Sequence, residues 1–275
     1  MFETRYATPY GVSDYGKSAR QLPHVVQDVR DLERTLKTLL GSEFRFDPIH
    51  VKLDDEATRT QLEDHLDELG RDGKHRTGTV FILLSGHGRV RRDVAHFMTH
   101  GGSASEPGLR LHDFTRAVGE IKARTIVILL DFCFSGAAPE DLQRALSRSV
   151  PTGPDVLVLS SCHPEETGEN LVENSLTVTF ARGLVSATPD EAGLITWGDV
   201  VRFVTRAMKT HRGRPMEFKS NAWLNELPLN RVAAPAPDPR DTGVEKWGVL
   251  QRAGARYSLE ELRKLLMDDE LEGPR

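Results

Sequence analysis

The stretch "TIVILLDFCFSG", residues 125–136, decides the fold and raises the question of function. Its uninterrupted aliphatic run, Ile126 to Leu130, ends in Asp131, and Cys133, Ser135 and Gly136 follow at once. A short continuous apolar run closed by a glycine turn reads as a strand covered on both faces, the habit of a parallel sheet. Two other stretches repeat the pattern: "TVFILLS" (79–85), which runs into "GHG", and "DVLVLSS" (155–161).

Helical spacing fills the intervals. "DVRDLERTLKTLLG" (28–41) places Val29, Leu32, Leu36, Leu39 and Leu40 on one face and stops at Gly41. "DEATRTQLEDHLDELG" (55–70), "HDFTRAVGEI" (112–121), "SLTVTFARGLVSA" (175–187) and "TWGDVVRFVTRAMKTH" (196–211) read as further helices, and "IHVKL" (49–53) as a strand. "RVRRDVAHFMTHGGSASEPG" (89–108) reads as a hairpin followed by a Gly/Ser loop. The β-α-β-α order predicts an α/β fold: a mostly parallel central sheet with helices on both faces, three layers in all. "RYATPYGV" (5–12) contains Pro9, which predicts a short or irregular first strand, because proline cannot donate to a ladder.

The domain organisation follows from composition. The 275 residues suffice for one large domain and a small appendage. A domain over 1–231 is expected, then a Pro/Ala-rich linker over 232–244 around "AAPAPDPRD", then a tail over 245–275 with one amphipathic helix near 258–267. The balance of 38% hydrophobic and 28% charged residues fits a soluble globular protein. A net charge of −5 without a basic block argues against nucleic-acid binding. No apolar run approaches the ~20 residues that span a bilayer, and "MFETRYATPYGV" has no apolar leader segment, so neither membrane association nor secretion is expected and a cytoplasmic location is. Two cysteines, Cys133 and Cys162, make a poor disulfide framework.

In an open α/β sheet, ligands bind beyond the carboxyl ends of the strands. Three such ends matter: "SGHG" (85–88) carries His87, "DFCFSG" carries Cys133, and "SSCHPEETGEN" (160–170) follows the third strand. If the first two strands are neighbours, His87 and Cys133 face each other across one crevice. A thiolate is the nucleophile, and an imidazole can take the thiol proton during attack. Gly88 leaves its N–H open to a ligand, and with the N–H of Cys133 it would form an oxyanion hole. Other thiol chemistries fit less well. A phosphatase loop needs an arginine about six residues past the cysteine, but none occurs before Arg144. Neither a redox Cys-x-x-Cys nor a clustered zinc spacing is present. Cys162 reads as structural, because nothing in the sequence places a base beside it.

These motifs resemble those of caspase-like cysteine peptidases, in the prokaryotic branch similar to metacaspases. "FILLSGHG" resembles the family's histidine motif and "IVILLDFCFSGA" its Asp-x-Cys-x-Ser-Gly cysteine motif. The 46 residues between His87 and Cys133 (133 − 87) match the ~50 of caspases. "GVSDY" (11–15), "VVQDVRDLERTL" (25–36) and "VKLDDEATRTQL" (51–62) resemble further family segments, so the likeness covers residues 5–230.

The resemblance implies a caspase-like three-layer sandwich with Cys133 as nucleophile and His87 as general base or acid. It implies an S1 pocket lined by Asp131 and Asp28, with Ser160, Glu165 and Glu166 at its rim and Glu169 nearby. Two carboxylates there would select Arg or Lys at P1, because a guanidinium pairs with them by forked hydrogen bonds. True caspases take Asp, and this chain departs from them at both acid positions. Calcium-dependent metacaspases use an acid cluster before the cysteine strand. Here "LRLHDFTRAVGEI" carries one Asp, so no metal or other cofactor is expected, and calcium remains a variable for assay. The expected partner is a protein or peptide substrate, with a second, activating partner acting through the tail. That tail weakly resembles a GYF-like adaptor around Trp247. Arg144 and Arg148 mark where a basic-specific enzyme would cut itself, though exposed helix arginines account for both. The alternatives are a catalytically silent scaffold of the same fold and a latent peptidase activated by a partner. A role in bacterial defence or regulated death is implied by the family alone.

Overall fold

The structure, a computed structural model, describes residues 4–71, 78–103, 105–135, 154–161, 175–208, 216–219 and 222–231. The chain divides into a unit Met1–Ala233 and a unit Ala234–Arg275, and every described residue belongs to the first. Cys162, Glu165, Glu166, Glu169, Arg144, Arg148, the Pro/Ala linker and the tail with Trp247 lie outside the described residues.

The three aliphatic runs form the centre of the sheet. The strands, in chain order, are β1 (Arg5–Gly11), β2 (Lys52–Leu53), β3 (Thr79–Ser85), β4 (Gly88–Arg91), β5 (Val94–Met98), β6 (Gly108–Arg110), β7 (Thr125–Asp131), β8 (Asp155–Ser160), β9 (Leu194–Thr196), β10 (Met216–Lys219) and β11 (Pro228–Arg231). Among the described residues the main sheet runs β10-β8-β7-β3-β1-β2. Its five strands from β8 to β2 are parallel, and β10 closes one edge antiparallel to β8. Every residue of β3 and β7 is buried, as their unbroken apolar sequences require.

The helices are α1 (His24–Arg34), α2 (Arg59–Arg71), α3 (Leu111–Glu120), α4 (Leu176–Ser186) and α5 (Trp197–Met208). The period of two along β1 assigns them to opposite faces. Tyr6 and Tyr10 point to α2, where their hydroxyls hydrogen-bond the two ring nitrogens of His65, each at 2.6 Å. Gly11 points the other way, where a Cβ would press on Val25 and Val29 of α1 at 3.2 and 2.9 Å. α4 packs on α1 and α5, and α3 packs on α2, which completes the three layers. On the α1 side, Phe180 of α4 stacks on Phe81 of β3 and meets Trp197 of α5, both at 5.8 Å between ring centroids.

Four features differ from the sequence reading. β1 is neither short nor irregular: it pairs with β3 without a break from Arg5↔Thr79 to Gly11↔Ser85. Its proline is tolerated because alternate N–H groups of a parallel strand serve opposite neighbours. Ala7 N–H donates to Pro48 on the β2 side. Pro9, two residues on, faces the same side, where β2 pairs only from Tyr10. Conversely, the strand expected over 49–53 shrinks to Lys52–Leu53, with Ile49 joined to Ala7 by an isolated bridge. The hairpin gains a third strand, β6, beside β5. Finally, β9 and β11 form a small separate sheet.

Asn230 ties that sheet to the body. Its side-chain N–H donates to Leu184 C=O at 2.7 Å, and its oxygen accepts from the N–H groups of Gly41 and Arg231, both at 2.8 Å. Removing this buried amide strands several polar groups. Asn230→Ala should therefore lower unfolding stability by about 2–3 kcal/mol, read as a shift in urea midpoint with an unchanged slope.

Candidate active site

β3 and β7 lie side by side in register, with Ser85 opposite Asp131. The pairing continues past the strand end, where Gly86 N–H donates to Asp131 C=O at 3.1 Å. The next residues of each strand are therefore delivered to the same place. His87 and Gly88 leave from β3, while Phe132 and Cys133 leave from β7. Gly88 sits so close to the Cys133 carbonyl that any Cβ there would collide with it. Phe132 drives the cysteine loop inward: it is fully buried and packs on Phe97 of β5 at 5.2 Å between centroids. Phe134, just after the cysteine, holds φ +63°, a left-handed conformation that costs a side-chain-bearing residue free energy and concentrates at functional sites. Cys133 itself is half-buried and forms no disulfide.

One loop fixes His87 at three points. His87 Nε2 lies 2.7 Å from the Arg20 carbonyl. A carbonyl can only accept, so Nε2 carries the hydrogen, and a neutral ring leaves Nδ1 as the position that can take a proton. The backbone N–H of His87 donates to the Tyr15 hydroxyl at 2.7 Å, and that hydroxyl donates to Val12 C=O at 2.8 Å. The Tyr15 ring also lies against the imidazole, 4.8 Å between centroids. The loop is closed by Leu22 N–H to Ser13 C=O and Ser18 N–H to Tyr15 C=O, both at 2.9 Å. The Asp54 carboxylate anchors its start, accepting from the N–H of Ser13 and Asp14 at 2.7 and 3.0 Å.

The proposed oxyanion donor Gly88 is oriented by ladder parity. Met98 N–H donates to His87 C=O at 2.9 Å, which makes 87/98 a hydrogen-bonded pair. The following pair, Gly88↔Phe97, is then of the non-hydrogen-bonded kind, so the Gly88 N–H points out of the β4–β5 ladder.

The two candidate S1 acids converge on the start of α4. Asp131 is 2% exposed and Asp28 is 5% exposed. Asp131 accepts from Thr177 N–H at 2.9 Å and Thr177 Oγ1 at 2.7 Å. Asp28 accepts from Ser175 Oγ at 3.0 Å, while Ser175 caps the helix by accepting from Val178 N–H at 3.2 Å. Carboxylates at a helix N-terminus are favoured by the orphan N–H groups and the helix dipole. Even so, burial outweighs those bonds at Asp131 and pushes its carboxyl above the usual range. His24, the first residue of α1, lies within electrostatic reach of both Asp131 and His87. Burial lowers its imidazole below the usual range, Asp131 opposing the shift and His87 adding to it. Ser160 is fully buried at the end of β8, while Glu165 and Glu166 fall outside the described residues.

The structure thus brings His87, Gly88, Cys133, Asp131 and Asp28 to one end of the sheet. Tyr15 joins them from "GVSDY", a segment noted only for its resemblance, and His24, Ser175, Thr177 and the Arg20 carbonyl join them without having been singled out by sequence. Ser175 had a legible signal, a serine immediately before a helical pattern. A backbone carbonyl has none. Among the described residues no group of three or more His, Cys, Asp or Glu could hold a metal ion.

A model of the caspase domain matches residues 4–231, most of the chain. The chain belongs to the caspase family. The match spans both the histidine and cysteine motifs, and membership indicates cysteine-peptidase activity. A crystal structure of a protein from Geobacter sulfurreducens superposes with a TM-score of 0.58 at 15% identity, covering 83% of this chain and 99% of that one, which supports the fold alone. No curated protein matches significantly. Among the described residues no helix of this caspase-family domain is long and apolar enough to cross a membrane.

The raised Asp131 carboxyl has a consequence for stability. A group whose folded pKa lies above its unfolded value, ~3.9 for Asp, loses stability as pH rises through that interval and stays penalised above it. Asp131→Asn removes the charge and keeps an oxygen for Thr177. Its melting temperature should equal or exceed wild type at pH 7, and the gap should narrow as pH falls toward 4. A variant that melts well below wild type at pH 7 would show that the ionised carboxylate is a net stabiliser.

Proposed function

We propose that this caspase-family domain is a cysteine endopeptidase that cleaves protein chains after Arg or Lys. In this reading Cys133 Sγ attacks the scissile carbonyl, and His87 takes the thiol proton at Nδ1. The N–H groups of Gly88 and Cys133 receive the developing oxyanion. The imidazolium then protonates the leaving amine as the C–N bond breaks, leaving a thioester on Cys133. Water, deprotonated by the same imidazole, hydrolyses that thioester and restores the thiol.

The observation that carries the reading is the register of β3 and β7. It sets His87 and Cys133 on adjacent strand ends, and the Arg20 carbonyl fixes the histidine tautomer. Basic P1 selection is supported by Asp131 and Asp28 lying together beneath this site. A buried carboxylate pushed toward neutrality has a strong reason to accept a guanidinium, which restores its charge and pairs it. The rim residues Ser160, Glu165 and Glu166 and a defence or regulated-death role belong to the same proposal on family resemblance, and a cytoplasmic location belongs to it on the sequence pattern.

One observation favours a second reading of the acids. Both are already hydrogen-bonded at the N-terminus of α4, as expected of groups that hold that helix rather than a substrate.

Matched fluorogenic peptides with Arg, Lys or Asp at P1 separate the possibilities, assayed with and without calcium. Hydrolysis after Arg or Lys is expected, with none after Asp, and Cys133→Ala should abolish it. Asp131→Asn should lower kcat/KM for the Arg peptide by about 10²-fold or more, the loss of a charge-assisted pair. Unchanged Arg cleavage in that variant would assign the acids to α4 alone, and wild-type cleavage after Asp would overturn the specificity. A wild type silent on all three peptides until a partner is added would point to the latent enzyme. Lasting silence would leave the scaffold.

The close approach at Gly88 gives an independent check. Gly88→Ala forces a Cβ into the Cys133 carbonyl and must shift the two loops apart. Peptide hydrolysis should fall by about 10²-fold, since a displacement near 1 Å is enough for such a loss. Activity within a few-fold of wild type would show that the two loops move freely.

A further inference from the structure

The segment "GVSDY" is not used by the chemistry above, yet its tyrosine touches the histidine at two points. We propose that Tyr15 is the positioning residue of His87, setting the imidazole against Cys133 through its hydroxyl and its ring. The inference rests on the Cys133–His87 reading and extends it.

The geometry is specific. Tyr15 is 4% exposed, and its hydroxyl is both donor and acceptor: it receives His87 N–H at 2.7 Å and gives its proton to Val12 C=O at 2.8 Å. Val12 N–H in turn donates to Ser85 C=O at 3.0 Å, so the hydroxyl bridges the ends of β1 and β3 just where the latter stops pairing. A residue leaving a strand has two soft backbone torsions, and pinning its N–H removes most of that freedom. The ring against the imidazole removes side-chain freedom as well. The third restraint, the Arg20 carbonyl on Nε2, comes from the same loop, which Asp54 anchors by four contacts to Ser13 and Asp14.

Space for the device is made by a glycine. At Gly86 the backbone has φ +155°, and a Cβ would strike the Tyr15 hydroxyl and lie 3.1 Å from the Val12 carbonyl. Any larger residue would push the tyrosine off His87. The glycine before the histidine therefore has a steric role distinct from that of Gly88, which clears the Cys133 carbonyl. Burial keeps the Tyr15 phenol protonated far above neutral pH, so the hydroxyl bridge persists across the working range.

The test uses the full chain and Tyr15→Phe, which keeps the ring and deletes the hydroxyl. Two readouts are taken: kcat and KM on the Arg peptide, and the rate at which iodoacetamide alkylates Cys133, followed by peptide mass spectrometry. Asn230→Ala serves as a control for destabilisation remote from His87. The expected result is a loss of about 10-fold in kcat with KM within about twofold, as for a misplaced catalytic group. Cys133 alkylation should slow by a similar factor. Tyr15→Leu, lacking the ring too, should lose more. The Asn230 variant should lose stability and keep kcat at 25 °C.

A Tyr15→Phe enzyme with kcat and alkylation within twofold of wild type overturns the proposal. So does a loss that tracks only the fraction of folded protein. The alkylation readout separates this failure from failure of the peptidase reading. If wild type cleaves no peptide but His87→Ala still slows alkylation, Tyr15→Phe must slow it as well. If His87→Ala leaves alkylation unchanged, the pairing of histidine and cysteine is absent and the positioning role goes with it.

Discussion

Everything at the candidate site depends on the register of two buried strands. β3 and β7 pair from Thr79↔Thr125 to Ser85↔Asp131, and one further hydrogen bond carries the pairing to Gly86. Because the side-chain period of a strand is two, a slip by one residue would turn each apolar set to the opposite face. Here both faces are buried, so facing is a weaker guide, and register is held by where the strands must stop. β7 stops at Asp131, which binds the start of α4, and β3 stops at Ser85, just before Gly86, the glycine beneath Tyr15. The two termini are therefore fixed by polar and steric contacts. The apolar runs supply the driving force, roughly 25 cal/mol per Å² removed from water.

Above this frame the site is held by groups that do no chemistry themselves. The loop from Ser13 to Leu22 gives His87 a hydroxyl, an aromatic face and a carbonyl. The start of α4 gives Asp131 and Asp28 their hydrogen bonds. A buried carboxylate set on a helix N-terminus is a compromise: desolvation raises its pKa while the N–H groups lower it, and at Asp131 desolvation wins. That imbalance links the site's stability to its proposed selectivity, since a guanidinium would relieve the same penalty that burial creates.

The sequence carried the mostly parallel sheet because unbroken aliphatic runs followed by glycine turns have few other readings, as at Ile126–Leu130, while the order of its strands came only with the structure. It placed His87 and Cys133 just past the ends of two apolar strands, where open sheets bind ligands, and those two strands are neighbours. It misjudged β1, where Pro9 weakens a strand only if its missing N–H faces a partner, and that depends on which neighbour lies on which side. It overextended β2, where alternation over five residues gave two paired ones. The site's supports were mostly illegible. The Arg20 carbonyl leaves no trace in composition, and Tyr15 reaches His87 across 72 residues of chain through a hydrogen bond no periodicity encodes. The hydrogen bonds that hold Asp28 and Asp131 were invisible for the same reason, since they come from the start of α4, 147 residues beyond Asp28 and 46 beyond Asp131.

An activated Cys133 above a basic-selective pocket is tested most directly by covalent capture with peptidyl chloromethyl ketones ending in Arg or in Asp, followed by intact-mass and peptide-mapping mass spectrometry. One adduct per chain is expected with the Arg reagent, located on Cys133 and not on Cys162, and lost in His87→Ala. The Asp reagent should label neither thiol at the same concentration. Labelling of both cysteines at equal slow rates, or preferential capture by the Asp reagent, would contradict that reading of Cys133.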